Sequence, residues 1–183
     1  LNIPGGPLES LRSRPEFGRL GQLLDAESRT GRVRTLIWQG ASDLVQLHAP
    51  LSFPDGQQDT FNLLRPLIGY GPESMYVSYN RFYPPELTLV EKRNASPDRS
   101  HNETWDSLAI TGLLGLLAYL ALFGSVIYYG LKWLGLAPGL KWRNLFLALY
   151  LVTGLVVAGI FWAWKGVGYL GVALPFGMLL GVI

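Results

Sequence analysis

The sequence predicts an all-α integral membrane protein: a helical extracytoplasmic region over residues 1–106, followed by two or three transmembrane helices over residues 107–183. Three observations predict it. All thirteen acidic residues lie at or before Asp106, while four of the fifteen Lys and Arg lie beyond it. Ser107 to Leu131 runs for twenty-five residues without a charge. At about 1.5 Å per helical residue that run exceeds a hydrocarbon core of roughly 30 Å. No segment alternates apolar and polar residues as a half-buried strand would, and no internal repeat is visible.

The first predicted span covers about 107–131. A second, about 145–164, is near the minimum spanning length and ends in Phe161, Trp162 and Trp164, side chains suited to a membrane interface. A third, about 167–183, is short and interrupted by Pro175, and reads as an incomplete span or a re-entrant segment. Lys132, Lys141 and Arg143 face no acid between the first two spans, so the positive-inside rule places that turn in the cytoplasm and residues 1–106 outside. Tyr128, Tyr129, Trp133 and Trp142 then form an interfacial belt. A polar region of this length needs something to carry it across, and the chain opens Leu1-Asn2-Ile3-Pro4 with neither an initiator Met nor an apolar signal segment. The expectation is therefore the C-terminal half of a longer polytopic protein.

Within the polar region, apolar spacing predicts a helix near Pro15–Ala26 and a stronger amphipathic helix over about Arg32–Leu47. The Pro/Gly/Asp-rich stretch from Ala49 to Asp59 reads as a loop. Gly69-Tyr70-Gly71-Pro72-Glu73 predicts a tight turn with Gly71 as a cap and Pro72 at the first position of the next helix. Pro84-Pro85-Glu86-Leu87 starts a further short helix, running to about Arg93. Eleven basic against thirteen acidic residues in this region argue against nucleic acid, whose ligands concentrate positive charge on a folded polar surface. The absence of cysteine excludes thiol nucleophiles and cysteine metal sites.

The chemistry-bearing constellation lies at the boundary. Ser100-His101-Asn102-Glu103 fits an S-x-x-E capping box, which starts the first spanning helix at His101. On such a helix His101, Trp105, Leu108, Gly112 and Gly115 fall within about 40° of one line. Two readings of this stripe stay open. The glycines either let a neighbouring helix approach, leaving His101 as a solvated interfacial residue, or they bare a groove beneath a histidine able to act as a general base. A metal site from Asp98, His101, Glu103 and Asp106 is disfavoured, because the last three residues spread around a helix. His48 ends the preceding amphipathic helix, where a C-terminal dipole contact accounts for it.

Asp98-Arg99-Ser100-His101-Asn102, nine residues, Gly112, two more and Gly115 resemble the H-[N/S/Q]-x9-G-x2-G signature of the O-antigen ligase and O-antigen polymerase superfamily. Arg34-x3-Trp38 in GRVRTLIWQGA is similar to the R-x3-W helix that opens that family's large periplasmic loop, and PLIGYGPESM to its apolar-G-x-G-P element. The resemblance implies a bacterial inner-membrane glycosyltransferase. Such an enzyme passes a glycan from an undecaprenyl-diphosphate donor to an acceptor hydroxyl at the extracytoplasmic face, with no cofactor, nucleotide sugar or metal. It implies Arg34 and His101 as catalytic residues, the first on the donor diphosphate and the second on the acceptor. Arg65, Arg81, Asn102 and Tyr70 are candidates for diphosphate or sugar contacts. Expected partners are the lipid-linked glycan, membrane lipid, and upstream helices or other membrane subunits, with no nucleic acid. The family has about a dozen spans and a second functional arginine upstream of any residue here. The alternative is a non-catalytic accessory subunit of a larger membrane complex, packing through Gly112, Gly115 and Gly124.

Overall fold

The computed structural model describes residues 29–53, 55–91 and 95–183, so the helix expected near Pro15–Ala26 lies outside the described residues. The described residues form helices and loops with one isolated bridge, Ser52 to Gln58, and no strand. Among the described residues four α-helices precede the apolar part: α1 (Arg29–Val45), α2 (Arg65–Ile68), α3 (Met75–Ser78) and α4 (Leu87–Val90). Three follow, namely α5 (Glu103–Trp133), α6 (Gly139–Lys165) and α7 (Leu170–Leu180). Helices α5 and α6 are each long and apolar enough to cross a membrane, and only 22% of the most apolar stretch of each is buried within the chain.

Several boundaries differ from expectation, each for a physical reason. The amphipathic helix is α1, whose Ile37, Ala41 and Leu44 are buried, but it stops at Val45 rather than Leu47. Pro72 belongs to the turn and not to the next helix, because Glu73 adopts φ 57° and α3 starts only at Met75. The Pro84–Pro85 helix is one turn, Leu87–Val90. Helix α6 begins at Gly139, so Lys141 and Arg143 ride on its first turns and the connection shrinks to residues 134–138. A count of uncharged residues finds the apolar stretch; the backbone ladder continues past it, with charged heads reaching outward.

The third segment is helical across Pro175. Proline supplies no amide hydrogen to the carbonyl four residues earlier, which here is Gly171. The Thr104 hydroxyl donates to that carbonyl at 2.8 Å, satisfying it and tying the start of α5 to α7. Eleven residues rise about 16 Å, half of a hydrocarbon core. Helix α7 folds back along α6, where Thr153 donates its hydroxyl to the Gly177 carbonyl at 2.8 Å and Gly154 faces Gly177.

Helices α5 and α6 meet through Leu116, Leu120, Phe146 and Tyr150, and the Tyr150 hydroxyl donates to the Leu120 carbonyl at 3.1 Å. The polar region packs its own core, Ile37, Ala41, Met75, Tyr79 and Leu87, against Trp105 at the head of α5. Gly40 makes this approach possible, since a β-carbon there would meet the Phe82 carbonyl at 2.5 Å.

Candidate functional site at the head of α5

The chain of contacts begins at Trp38 on α1. Its indole Nε1 donates to the Ser100 carbonyl at 3.0 Å, and its ring meets Tyr169 edge-on at 5.9 Å. Ser100 is fully buried and every polar group it has is engaged. Its amide donates to Asp106 Oδ1 at 2.7 Å, its hydroxyl donates to the Asn102 carbonyl at 3.0 Å, and the Asn102 amide donates to Ser100 Oγ at 3.2 Å. Trp105 completes the frame by donating Nε1 to the Gly168 carbonyl at 2.8 Å.

This frame corrects the expected capping box. Asn102, not Ser100, is the N-cap: its Oδ1 accepts from the amides of Thr104 and Trp105 at 3.0 and 3.4 Å. Both residue types cap well by local rules. Ser100 is withdrawn from that role because Trp38 and Asp106 fix its peptide. Helix α5 therefore starts at Glu103, and His101 lies before it, exposed, at φ 56°. His101 and Glu73 are the two described non-glycine residues with positive φ. A left-handed conformation costs such a residue about 1–2 kcal/mol, so the surrounding bonds must hold it. The result is an imidazole presented outward by a rigid loop, with no hydrogen-bond partner among the described residues.

The glycine stripe is also not an open groove. Gly112 has φ 67° and ψ −168° and interrupts the helical ladder of α5. The carbonyls of Ala109 and Ile110, whose ordinary helical partners would be the amides four residues on, are taken instead by the amides of Tyr70 and Gly71 at 2.7 and 2.9 Å. A β-carbon on Gly112 would strike the Leu67 carbonyl, and one on Gly69 would strike the Ile110 carbonyl. The two backbones thus lie against each other, glycine to glycine. A β-carbon on Gly115 would strike the Thr111 side chain, and one on Gly124 would meet the Tyr150 ring at 3.2 Å. At Gly112 the stripe is therefore taken by the end of α2, the close approach of a neighbouring helix that one reading expected, and not left as an open groove.

The remaining candidates separate. Arg34 sits one turn before Trp38 on the same face of α1 and is half-buried. Through Trp38 its helix is one hydrogen bond from the peptide that carries His101. Arg65 is committed elsewhere: Nε and Nη2 fork onto Asp59 at 2.7 and 2.9 Å, Nη1 donates to the Gly69 carbonyl at 3.1 Å, and Tyr70 stacks on it at 5.0 Å. That guanidinium holds the Asp59 carboxyl below its ordinary value near 3.8, against the opposing effect of burial. Arg81 donates Nη1 to the carbonyls of Ala49 and Pro50, pinning the loop after α1.

Tyr70 turns inward, where burial pushes its hydroxyl up to about 12. It meets His48 Nε2 at 2.7 Å while His48 Nδ1 meets the Ala49 carbonyl at 2.7 Å. Asn102 is occupied by capping. Arg34 lies one turn from Trp38, which bonds to the residue before His101, whereas Arg65, Arg81, Tyr70 and Asn102 serve the scaffold.

A cleft of about 210 Å³ opens between the 72–75 turn and the start of α5, with Glu73, Asp98, Arg99 and Asp106 in its wall. Three carboxylates against one guanidinium make it a poor seat for a phosphate and a supply of hydrogen-bond acceptors. The sequence reading missed the roles of Ser100 and Asp106, because both depend on partners that only the folded chain supplies.

Fold and site define a helical protein with two apolar helices of spanning length and a polar helical assembly fastened to the head of the first. No family model, curated protein or solved structure matches the chain.

Proposed function

We propose that α5 and α6 are membrane spans, that the polar region lies on the extracytoplasmic face, and that the chain carries part of the active site of an O-antigen ligase- or polymerase-like glycosyltransferase. The single observation that carries this reading is convergence. The R-x3-W helix, the G-x-G-P turn and the His motif are joined by direct hydrogen bonds, Trp38 to Ser100 and Tyr70 and Gly71 to the broken turn of α5. The low internal burial of α5 and α6 supports the spans, since a core helix of a soluble domain would be mostly covered.

The chemistry follows from the residue types. An acceptor hydroxyl attacks the anomeric carbon, the bond from that carbon to the diphosphate oxygen breaks, and the hydroxyl proton passes to His101. The lipid diphosphate leaves with its charge against Arg34, whose planar cationic fork fits phosphate oxygens. The acidic cleft offers carboxylates to sugar hydroxyls. In the full-length protein, Arg34→Ala and His101→Ala should each lower glycan transfer by about 100-fold or more with membrane insertion intact. Transfer retained in both variants overturns the assignment.

A further inference from the structure

We propose that residues 61–68, in the middle of the polar region, dip into the outer membrane leaflet and contact lipid acyl chains beside α5; the inference rests on the reading of α5 as a span. Phe61, Leu63, Leu64, Leu67 and Ile68 are all exposed, Leu63 at 80%, within one short helical stretch. Scattered exposed apolar side chains are ordinary on a soluble surface; five in eight consecutive residues form a patch.

The position of that patch is fixed by backbone contacts. Leu67 and Ile68 lie against Gly112, and Tyr70 and Gly71 bond to Ala109 and Ile110. Gly112 lies about 8 Å along the helix axis below Ser107, the first residue of the uncharged run. That depth matches the 5–10 Å to which interfacial elements bury an apolar face. Leu113, Leu114 and Leu117, in the next turns of α5, are exposed as well.

Backbone polarity is compatible with this depth. A broken helix inside lipid needs its freed carbonyls satisfied by protein, and the Tyr70 and Gly71 amides do so for Ala109 and Ile110. Charge is compatible as well. The only charged residues from Gln57 to Pro72 are Asp59 and Arg65, which neutralise each other at 2.7 Å beneath the rings of Phe61 and Tyr70.

The test places single cysteines in a cysteine-free version of the full-length protein: Leu63→Cys and Leu67→Cys on the patch, Leu117→Cys on the span, and Leu89→Cys as a solvent control. Each carries an environment-sensitive fluorophore, in vesicles of phosphatidylethanolamine and phosphatidylglycerol with or without nitroxide-labelled acyl chains. The expected result is blue-shifted emission, quenched by the nitroxide lipid, at 63, 67 and 117, with water-like emission at 89. Water-like emission at 63 and 67 with a membrane signal at 117 overturns the inference and leaves the span standing. Blue-shifted but unquenched emission at 63 and 67 also overturns it, by showing protein over the patch. Water-like emission at 117 overturns the span reading itself, and the inference with it.

Discussion

Substituting Gly112 by alanine tests the join between the polar region and α5. At φ 67° and ψ −168° the residue occupies a region essentially reserved for glycine, where another residue costs about 1–3 kcal/mol. The added β-carbon would also strike the Leu67 carbonyl, so segment 65–71 must withdraw or α5 must straighten. Either response breaks the bonds from Tyr70 and Gly71 to Ala109 and Ile110. At about 0.5–1.5 kcal/mol each, these bring the expected loss for this join to about 2–6 kcal/mol. Because about 1.4 kcal/mol is a factor of ten, hydrogen exchange at the Tyr70 and Gly71 amides should accelerate by about 30-fold to 10⁴-fold. The assay is exchange mass spectrometry on full-length protein in nanodiscs, with peptides covering 63–73. Unchanged protection there, together with unchanged unfolding, would refute the reasoning; a straightened α5 would still expose both amides.

Three further outcomes follow from the same contacts. Gly69→Ala should destabilise as Gly112→Ala does, and the double variant should lose about 1–3 kcal/mol less than the sum, since either change alone opens the shared interface; chemical denaturation of the three variants measures it. Asn102→Ala should cost about 1 kcal/mol through the lost cap, while Glu103→Ala should cost less, the reverse of what a Ser100 capping box requires. Asp59→Asn should cost about 2–4 kcal/mol at neutral pH, because it leaves Arg65 facing a neutral partner in a mostly enclosed pair. Because the folded Asp59 carboxyl is held below its ordinary value near 3.8, its contribution is present above that value and lost as pH falls through the lowered one. The variant should therefore lose this part of the acid sensitivity in unfolding experiments below about pH 4.

The amino-acid sequence by itself determined the two long apolar helices and the amphipathic α1. Uncharged length and 3.6-residue periodicity are properties of a single segment, and such helices satisfy their own backbones. It also marked Arg34, Trp38, His101 and Gly112 as residues to watch. Only the tertiary structure decided that His101 lies off the helix, that Asn102 is the cap, and that Gly112 is a break rather than a groove. It likewise decided that Arg65 and Tyr70 are bound into the scaffold. The physical reason is the reach of the partners. Trp38 binds a carbonyl sixty-two residues away, Thr104 one sixty-seven residues away, and Tyr70 the broken turn of α5. Capping and periodicity rules weigh partners within about four residues. Where a distant donor satisfies a carbonyl better than the local ladder does, the chain follows the distant donor, and it does so repeatedly at the junction that carries the candidate site.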